Sequence, residues 1–354
     1  MDWLTDLERL FDGAVKSVSE PEVGIVFSAG VDSALVAYTA AKHAKVTAYH
    51  VGVEGAEDTK FAKMLEESAP FRIRHVILGQ EDVERLVPTV LSLLDEPDPI
   101  DVGVGIPFYA ASKAAKEDGM DVMLCGQGGD ELFGGYWRYL ECMLEKGPEA
   151  VALWMEKDWE NAYEDNLERD IAMNKANGCE LRFPYLDRGF SNYARGMPLD
   201  LKIREVYGPQ FSVSSSQSAV SSPQYSVLTE NRKPKTENRE LRTENRELRT
   251  ENRELRTENR ELRTENREPN TEDLSSDVIR GRRFIRKYAL KMLARRMGVP
   301  DYVADRVKKA AQYGSGTNKA LDRIARRGGY REKAQQAGRT DYLRLYIEEK
   351  KTVH

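Results

Sequence analysis

Short apolar runs that alternate with helical stretches constrain the fold of this chain more than any other feature. The runs typical of strands are rich in apolar and β-branched residues, at positions 23–27, 46–51, 73–78 and 122–125. Helical stretches precede and separate them, at positions 1–17, 34–40, 59–68 and 108–117. Strands that alternate with helices pair in parallel, and their helices cover both faces of the sheet. The sequence therefore predicts an α/β fold with a doubly wound parallel sheet.

Composition narrows the possible functions. The chain has 54 Lys and Arg against 59 Asp and Glu, a net charge of -5, so it is not a polycation and nucleic acid is not an expected partner. No apolar run reaches 18 residues, and the N-terminus is acidic, so we expect no membrane span, no secretory signal and a cytoplasmic location. Three cysteines at unrelated spacings argue against a disulfide framework or a zinc site.

Residues 209–278 differ in composition from the rest of the chain. Eight serines fall within 209–228, and six tandem heptapeptides follow at 229–270, four of them identical Thr-Glu-Asn-Arg-Glu-Leu-Arg. Each perfect copy has one apolar residue, whereas a coiled-coil seam needs two. We therefore expect a disordered low-complexity insert, removable without loss of folding or activity. The folded domain is predicted to comprise residues 1–208 and 279–354, and patterns at 151–159 and 284–297 predict helices in its second half.

The first candidate site is the turn after the strand at 23–27. It reads Ser28-Ala29-Gly30-Val31-Asp32-Ser33 and leads into a helix. Small residues let the backbone approach an anion, and the amides of a helix N-terminus favour phosphate. Asp32 can hold Mg²⁺ against a polyphosphate. The alternative is an ordinary turn between strand and helix, and the string lacks the lysine of a Walker A loop.

A second glycine-rich turn follows the strand at 122–125. It reads Cys125-Gly126-Gln127-Gly128-Gly129-Asp130-Glu131-Leu132-Phe133-Gly134-Gly135-Tyr136. Because the carboxyl ends of parallel strands share one edge of the sheet, we expect this turn to lie beside the first one, where doubly wound folds bind ligands.

Both strings resemble those of a known family. The first is similar to the pyrophosphate-binding loop of the ATP pyrophosphatases, and the second resembles the synthetase domain of the asparagine synthetases. Further segments match the same family in order, at 94–97, 180–187, 198–203, 286–291 and 306–308. The resemblance extends over residues 10–208 and 280–320. It implies an adenine nucleotide alpha hydrolase-like fold with additional C-terminal helices.

The resemblance also implies roles for individual residues. It places Mg²⁺ on Asp32 and Asp130, and a lysine that stabilises pyrophosphate charge at Lys308. Arg182 becomes a candidate substrate contact, although it can equally pair with a neighbouring carboxylate. Contacts to ATP and its pyrophosphate fall on Val26, Ser28, Gly30, Asp32, Ser33, Val51, Cys125 and Gly126.

Three positions depart from the family pattern. Ala29 stands where glycine is usual, which costs about 1 kcal/mol if the backbone there needs a positive φ. Asp2 replaces the nucleophilic cysteine of the glutamine-hydrolysing members, so we expect free ammonia, another amine or a separate glutaminase subunit as nitrogen source. Gln127 replaces a glutamate, and a carboxamide cannot accept a proton at physiological pH.

These observations predict an ATP-dependent, AMP-forming carbon–nitrogen ligase that acts on small molecules. Its carboxylate substrate is expected to be aspartate, its amine ammonia and its cofactors ATP and Mg²⁺, with Lys308 and Gln127 as catalytic residues. Two alternatives stay open: an amide or lactam ligase for another carboxylate, and a nucleotide-binding homologue with impaired catalysis. The chain can also form a homo-oligomer.

Overall fold

The computed structural model describes residues 2–95, 98–206, 274–306 and 311–352. Within these residues a five-stranded parallel sheet has the order β3-β2-β1-β4-β5. Its strands are β1 (Glu22–Phe27), β2 (Lys45–Val53), β3 (Arg72–Leu78), β4 (Val122–Leu124) and β5 (Glu180–Arg182). The predicted strands are confirmed. The sequence prediction missed β5, because three residues are too few to show a strand pattern.

Helices pack on both faces of this sheet, as predicted. The helices before β6 are α1 (Trp3–Val18), α2 (Val31–Ala40), α3 (Glu57–Glu66), α4 (Gln80–Ser92), α5 (Pro99–Glu117), α6 (Gly129–Phe133), α7 (Trp137–Lys146), α8 (Pro148–Ala162), α9 (Glu168–Lys175), α10 (Arg188–Gly196) and α11 (Leu199–Lys202). A π-helix (Tyr163–Leu167) joins α8 to α9, and a 3₁₀ helix (Pro184–Leu186) follows β5.

Side chains of successive strand residues point to opposite faces, and this alternation divides the core. In β2, Val46 and Ala48 belong to a buried cluster with α1, α2 and α10. Tyr49 and Val51 belong to a second cluster with α4 and α5 on the other face. Both faces of the strand are thus covered, which explains its nearly continuous apolar sequence.

The strand order reverses beside β1. The chain proceeds from β1 outward to β2 and β3, and then β4 pairs with the opposite side of β1, with Ile25 opposite Leu124. Such a reversal leaves a crevice between the loops that follow the two strands. The two glycine-rich turns follow β1 and β4, so the topology brings them side by side.

A small antiparallel sheet with the order β6-β8-β7 is formed by β6 (Ile203–Val206), β7 (Asp277–Ile279) and β8 (Arg282–Arg286). The chain divides into one unit of residues 1–206 and 275–354 and another of residues 207–274. The folded domain therefore resumes at Ser275, four residues before the predicted boundary at 279. Residues 209–273, on which the prediction of disorder largely falls, lie outside the described residues.

The helices after β8 are α12 (Tyr288–Arg296), α13 (Asp301–Ala304), α14 (Ala311–Gly314), α15 (Thr317–Arg327), α16 (Tyr330–Gln336) and α17 (Tyr342–Thr352). The predicted helix at 284–297 was wrong at its start, because Phe284, Ile285 and Arg286 belong to β8. Lys287 separates strand from helix with a φ of 56°. Among the described parts of the chain, no helix combines the length and the apolar character needed to cross a bilayer.

Candidate active site

A cavity of about 430 Å³ lies where β1 and β4 end. The structure brings together ten of the twelve residues that the sequence singled out, and the lining includes Val26, Ser28, Gly30, Asp32, Ser33, Val51, Cys125, Gly126, Gln127 and Asp130. Residues from β2, α3 and α5 complete the wall, among them Tyr49, Asp58 and Phe108. The two turns therefore form one concave site.

Two serines hold the first loop in a closed shape. The Ser28 amide donates to Ser33 Oγ at 3.2 Å, and Ser33 Oγ donates to the Gly30 carbonyl at 3.3 Å. The Gly30 amide donates to Ser28 Oγ at 3.3 Å. Helix α2 begins directly afterwards, and its first residues, Val31, Asp32 and Ser33, line the cavity. The positive end of the α2 dipole can attract an anion there.

The second loop needs glycine at position 126 because it passes very close to the first loop. A Cβ on Gly126 would lie 2.8 Å from the Ser33 nitrogen and 2.9 Å from Asp32 Cβ, both closer than real Cβ contacts allow. The neighbouring Cys125 is fully buried, and burial raises the pKa of its thiol above the usual range. Its thiol is therefore neutral and can serve only as a wall of the cavity.

Asp32 and Asp130 converge on one buried cation, the ammonium of Lys287. Lys287 Nζ donates to Asp32 Oδ1 at 2.5 Å and to Asp32 Oδ2 at 2.6 Å, and it lies 2.9 Å from Asp130 Oδ1. Only 3% of the Lys287 side chain is exposed. Burial lowers the pKa of Lys287 below its ordinary value, and the charge of Asp32 opposes that shift. The sequence prediction included this lysine in a matching segment but gave it no role.

The same pair of carboxylates fits a divalent cation. Two side chains from different loops already point their oxygens at one positively charged centre, and carboxylate oxygen is the ligand that Mg²⁺ prefers. Asp32 and Asp130 are thus suitable to hold Mg²⁺, with further oxygens coming from a phosphate substrate.

Arg306 ties the first loop to α3. Its guanidinium forms an ion pair with Asp58 and lies 3.4 Å from the carbonyl oxygens of Ser28 and Ala29. The guanidinium also stacks on Phe61, 4.1 Å from the ring centre. Both charged side chains are 7% exposed. Arg306 contributes a fixed positive charge to the cavity wall, which the sequence prediction missed although Arg306 begins the motif that contains Lys308.

A second arginine, Arg138, lies at the opposite part of the cavity lining. It stacks on Tyr136 with 4.4 Å between the guanidinium carbon and the ring centre, and it donates to Asp158 at 2.7 Å. Tyr136 in turn donates to Glu131 at 2.6 Å, and burial raises the pKa of Glu131. Arg138 directly follows the second glycine-rich turn, but no sequence pattern distinguished it from a surface arginine.

Gln127 is connected to a buried acidic residue. Its Nε2 donates to Asp170 Oδ2 at 2.5 Å, and Arg169 Nε donates to Asp170 Oδ1 at 2.9 Å. Arg169 Nη1 continues the chain of contacts to Asp101 at 3.0 Å. Asp170 has no exposed surface, and burial raises the pKa of its carboxyl despite the ion pair with Arg169.

Two predicted residues do not join this arrangement. Arg182 does not line the cavity; its guanidinium bonds to Glu180 at 2.8 Å, to Glu20 at 3.0 Å and to the Val18 carbonyl at 3.1 Å. The alternative interpretation of Arg182, pairing with a neighbouring carboxylate, therefore describes its contacts, and its role as a substrate contact stays a prediction. Lys308 lies outside the described residues, so its predicted role stays a prediction.

Comparison with protein families supports the resemblance of the motifs. The family model for asparagine synthase matches residues 6–154 and 144–210, more than half of the chain, including both glycine-rich turns. The chain belongs to the asparagine synthase family. Two residues of the site lie beyond the matched residues: Arg306, which lines the cavity, and Lys287, which contacts Asp32.

Individual members of this family are also similar. "Putative asparagine synthetase (glutamine-hydrolyzing) 1" of Methanocaldococcus jannaschii is 35% identical over 322 residues, which are 88% of this chain and 49% of that protein. "Asparagine synthetase (glutamine-hydrolyzing)" of Bos taurus is 27% identical over 209 residues, 56% of this chain and 37% of the bovine protein. This chain thus spans about half or less of the length of these relatives.

Among solved structures, the NMN synthetase of Francisella tularensis matches with a TM-score of 0.28 and 16% identity, over 56% of this chain and 96% of that one. The fold of this asparagine synthase family member is assigned from its own strand order and from the helices on both faces of its sheet.

Proposed function

We propose that this asparagine synthase family member is an AMP-forming amide ligase that uses ATP and Mg²⁺ to convert aspartate and ammonia into asparagine. One observation carries the proposal: two loops from neighbouring parallel strands bring Asp32 and Asp130 to the wall of one cavity of about 430 Å³, and both carboxylates contact the buried ammonium of Lys287. That arrangement suits a substrate with several negative charges and one bound metal ion. The family supports ligase chemistry and ATP binding.

The proposed reaction has two steps. A carboxylate oxygen of aspartate bonds to the α-phosphorus of ATP, and the bond from that phosphorus to the pyrophosphate oxygen breaks. The ammonia nitrogen then bonds to the acyl carbon, AMP leaves with the carboxylate oxygen, and the nitrogen loses a proton. Activation is required because a carboxylate resists nucleophiles, whereas AMP is a good leaving group.

The residues of the cavity have complementary tasks in these steps. The first loop, with Ser28, Gly30 and Ser33, would bind the pyrophosphate oxygens through backbone amides and hydroxyls. Asp32 and Asp130 would hold Mg²⁺, which when bound supplies positive charge beside the phosphate oxygens. Arg306 adds a positive charge that is already fixed in place, and Lys287 offsets part of the charge of the two aspartates before Mg²⁺ takes its place beside them. Val26, Val51, Cys125 and Gly126 would line the nucleotide.

Exchange of labelled pyrophosphate into ATP tests the first step. We expect exchange that depends on Mg²⁺ and on aspartate, measured against a panel of other carboxylic acids. Asp32→Asn is expected to reduce the exchange at least about a hundredfold, because it removes a carboxylate ligand of the proposed Mg²⁺. Asp200→Asn, at an exposed position, is the control and should leave exchange unchanged.

The outcomes separate the candidate functions. Exchange with another acid alone would replace aspartate as the substrate. ATP binding without exchange for any acid would favour a catalytically impaired homologue and contradict the proposal. Asparagine formation from ammonium, compared with glutamine, then tests the nitrogen source. A separate glutaminase subunit, a homo-oligomer and a cytoplasmic location stay predictions, which co-purification, sedimentation and fractionation can test.

A further inference from the structure

The amide-forming step needs a nitrogen with a free lone pair, and under the proposed function Gln127 is the residue that contacts this nitrogen. Gln127 lines the main cavity, and it also lines a second cavity of about 200 Å³ beside the π-helix. A side chain at the junction of two cavities can contact a small molecule that enters from either one. Gln127 cannot accept a proton, so its contribution must come from hydrogen bonding.

The orientation of the Gln127 amide determines what it does to an amine. If Nε2 faced the amine, this donor would bind the lone pair and block nucleophilic attack. If Oε1 faces the amine, the oxygen accepts an N–H and leaves the lone pair free to reach the acyl carbon. Only the second orientation is productive.

Asp170 selects between these two orientations. Its Oδ2 accepts from Gln127 Nε2 at 2.5 Å. Because the carboxamide is planar, this contact turns Gln127 Oε1 away from Asp170. Its Oδ1 is engaged by Arg169 Nε at 2.9 Å, and Arg169 is itself held by Asp101 at 3.0 Å. Since Asp170 is fully buried and Arg169 is 8% exposed, this chain of contacts has little freedom to rearrange.

We propose that Asp170 is a positioning residue that turns Gln127 Oε1 toward the incoming amine, so that Gln127 binds the amine through an N–H and keeps its lone pair free. This inference rests on the proposed ligase function. It adds a requirement on the nitrogen substrate: the site beside Gln127 accepts a neutral amine or ammonia. Ammonium has no lone pair, so it is not productive there.

Asp170→Asn tests the proposal with almost no change of shape. Arg169 Nε still needs an acceptor, so the oxygen of the new carboxamide faces Arg169 and its NH₂ group faces Gln127. Gln127 must then turn Oε1 toward that NH₂ group, and Nε2 faces the amine. We expect kcat/KM for ammonia to fall about tenfold or more, mainly through KM, with pyrophosphate exchange within about twofold of wild type.

Two further variants keep this test specific. Gln127→Met removes Oε1 at nearly constant volume and should reproduce the selective loss in the ammonia step. Asn177→Ala is the matched control, because Asn177 follows α9 and bonds to the Tyr109 carbonyl at 3.1 Å and to Ser112 Oγ at 2.9 Å, away from Gln127. It should leave kcat/KM for ammonia within about twofold of wild type.

A structural readout is independent of activity. In ¹⁵N-labelled protein the Gln127 NH₂ resonances, identified by their loss in Gln127→Met, should shift strongly in Asp170→Asn and little in Asn177→Ala. Unchanged Gln127 resonances in Asp170→Asn would overturn the inference, as would an unchanged ammonia step or an equal loss in both steps. Failure of exchange in the wild type would instead contradict the proposed function, while the resonances still report on the contact.

Discussion

At the scale of single residues, Ala29 has an unusual backbone conformation in the middle of the first loop. Its φ is 55°, in the left-handed region, and its side chain is fully buried. For a residue with a Cβ this conformation costs about 1–2 kcal/mol. The sequence raised this possibility, because glycine is usual at this position in the family, and the structure shows that Ala29 adopts the positive φ.

Ala29→Gly is therefore expected to stabilise the protein. Relief of the strained backbone outweighs the greater freedom of glycine in the unfolded chain, so the free energy of unfolding should rise by about 0.5–1 kcal/mol. Urea denaturation measures the difference. Ala41→Gly is the control, since φ of Ala41 is -64° and glycine there should lower stability. A decrease for Ala29→Gly as large as for Ala41→Gly would contradict the argument.

The sequence predicted some site residues and not others for a physical reason. Asp32 and Asp130 follow strands within glycine-rich turns, so local pattern and sheet topology together place them at one edge. Lys287, Arg138 and Arg169 are ordinary basic residues in their local sequence, and only long-range packing brings them to the site. Arg182 shares a strand face with Glu180, two residues away, and pairs with it, which explains why it does not line the cavity.

At the scale of elements, α5 contributes an apolar part of the cavity wall. Ile100, Val104, Pro107 and Phe108 from this helix line the cavity. Its start is fixed by Asp98, whose Oδ1 accepts from the Ile100 amide at 2.6 Å and from the Asp101 amide at 2.9 Å. The sequence prediction started this helix at residue 108, because its first half contains two glycines and two prolines, which obscure the helical pattern.

Asp98→Ala should weaken the first turn of α5. Loss of an N-cap acceptor leaves two amides without their partner, so we expect the free energy of unfolding to fall by about 1 kcal/mol. Thermal and urea unfolding provide the measurement. Asp200→Ala changes an exposed aspartate in the first turn of α11 and should have a smaller effect. Equal effects of the two substitutions would show that Asp98 contributes only its charge.

At the scale of the whole molecule, the segment between β6 and β7 connects two points that lie close together. Val206 pairs with Arg283 from one side of β8, and Val278 pairs with Arg283 from the other side. Neighbouring strands are about 4.8 Å apart, so the two ends are separated by about 10 Å. A few residues are enough for this connection.

Replacement of residues 209–273 by a Gly-Ser linker of about six residues should therefore preserve folding and pyrophosphate exchange. The shorter loop should raise the free energy of unfolding by up to about 2 kcal/mol, because less loop entropy is lost on folding. The residue at which the deletion ends should affect the stability of the variant. A deletion through residue 278 removes two of the three β7 pairs and the Asp277 partner of Arg286, 2.7 Å away, so we expect this second variant to be less stable.

If the shorter replacement loses exchange while it keeps its helix content, then the segment has a role beyond connection. Equal stability of the two variants would show that β7 adds nothing to the domain. Circular dichroism and urea unfolding distinguish these results.

Lys287 follows the long connection, whereas Asp32 and Asp130 precede it. During synthesis on the ribosome, a nascent chain that ends before β8 already contains every strand of the parallel sheet but not the Lys287 amine that contacts Asp32 and Asp130. The incomplete protein therefore has an uncompensated negative charge at the place where a triphosphate should bind. Translation must therefore pass Lys287 before an amine of the chain can offset the charge of Asp32 and Asp130.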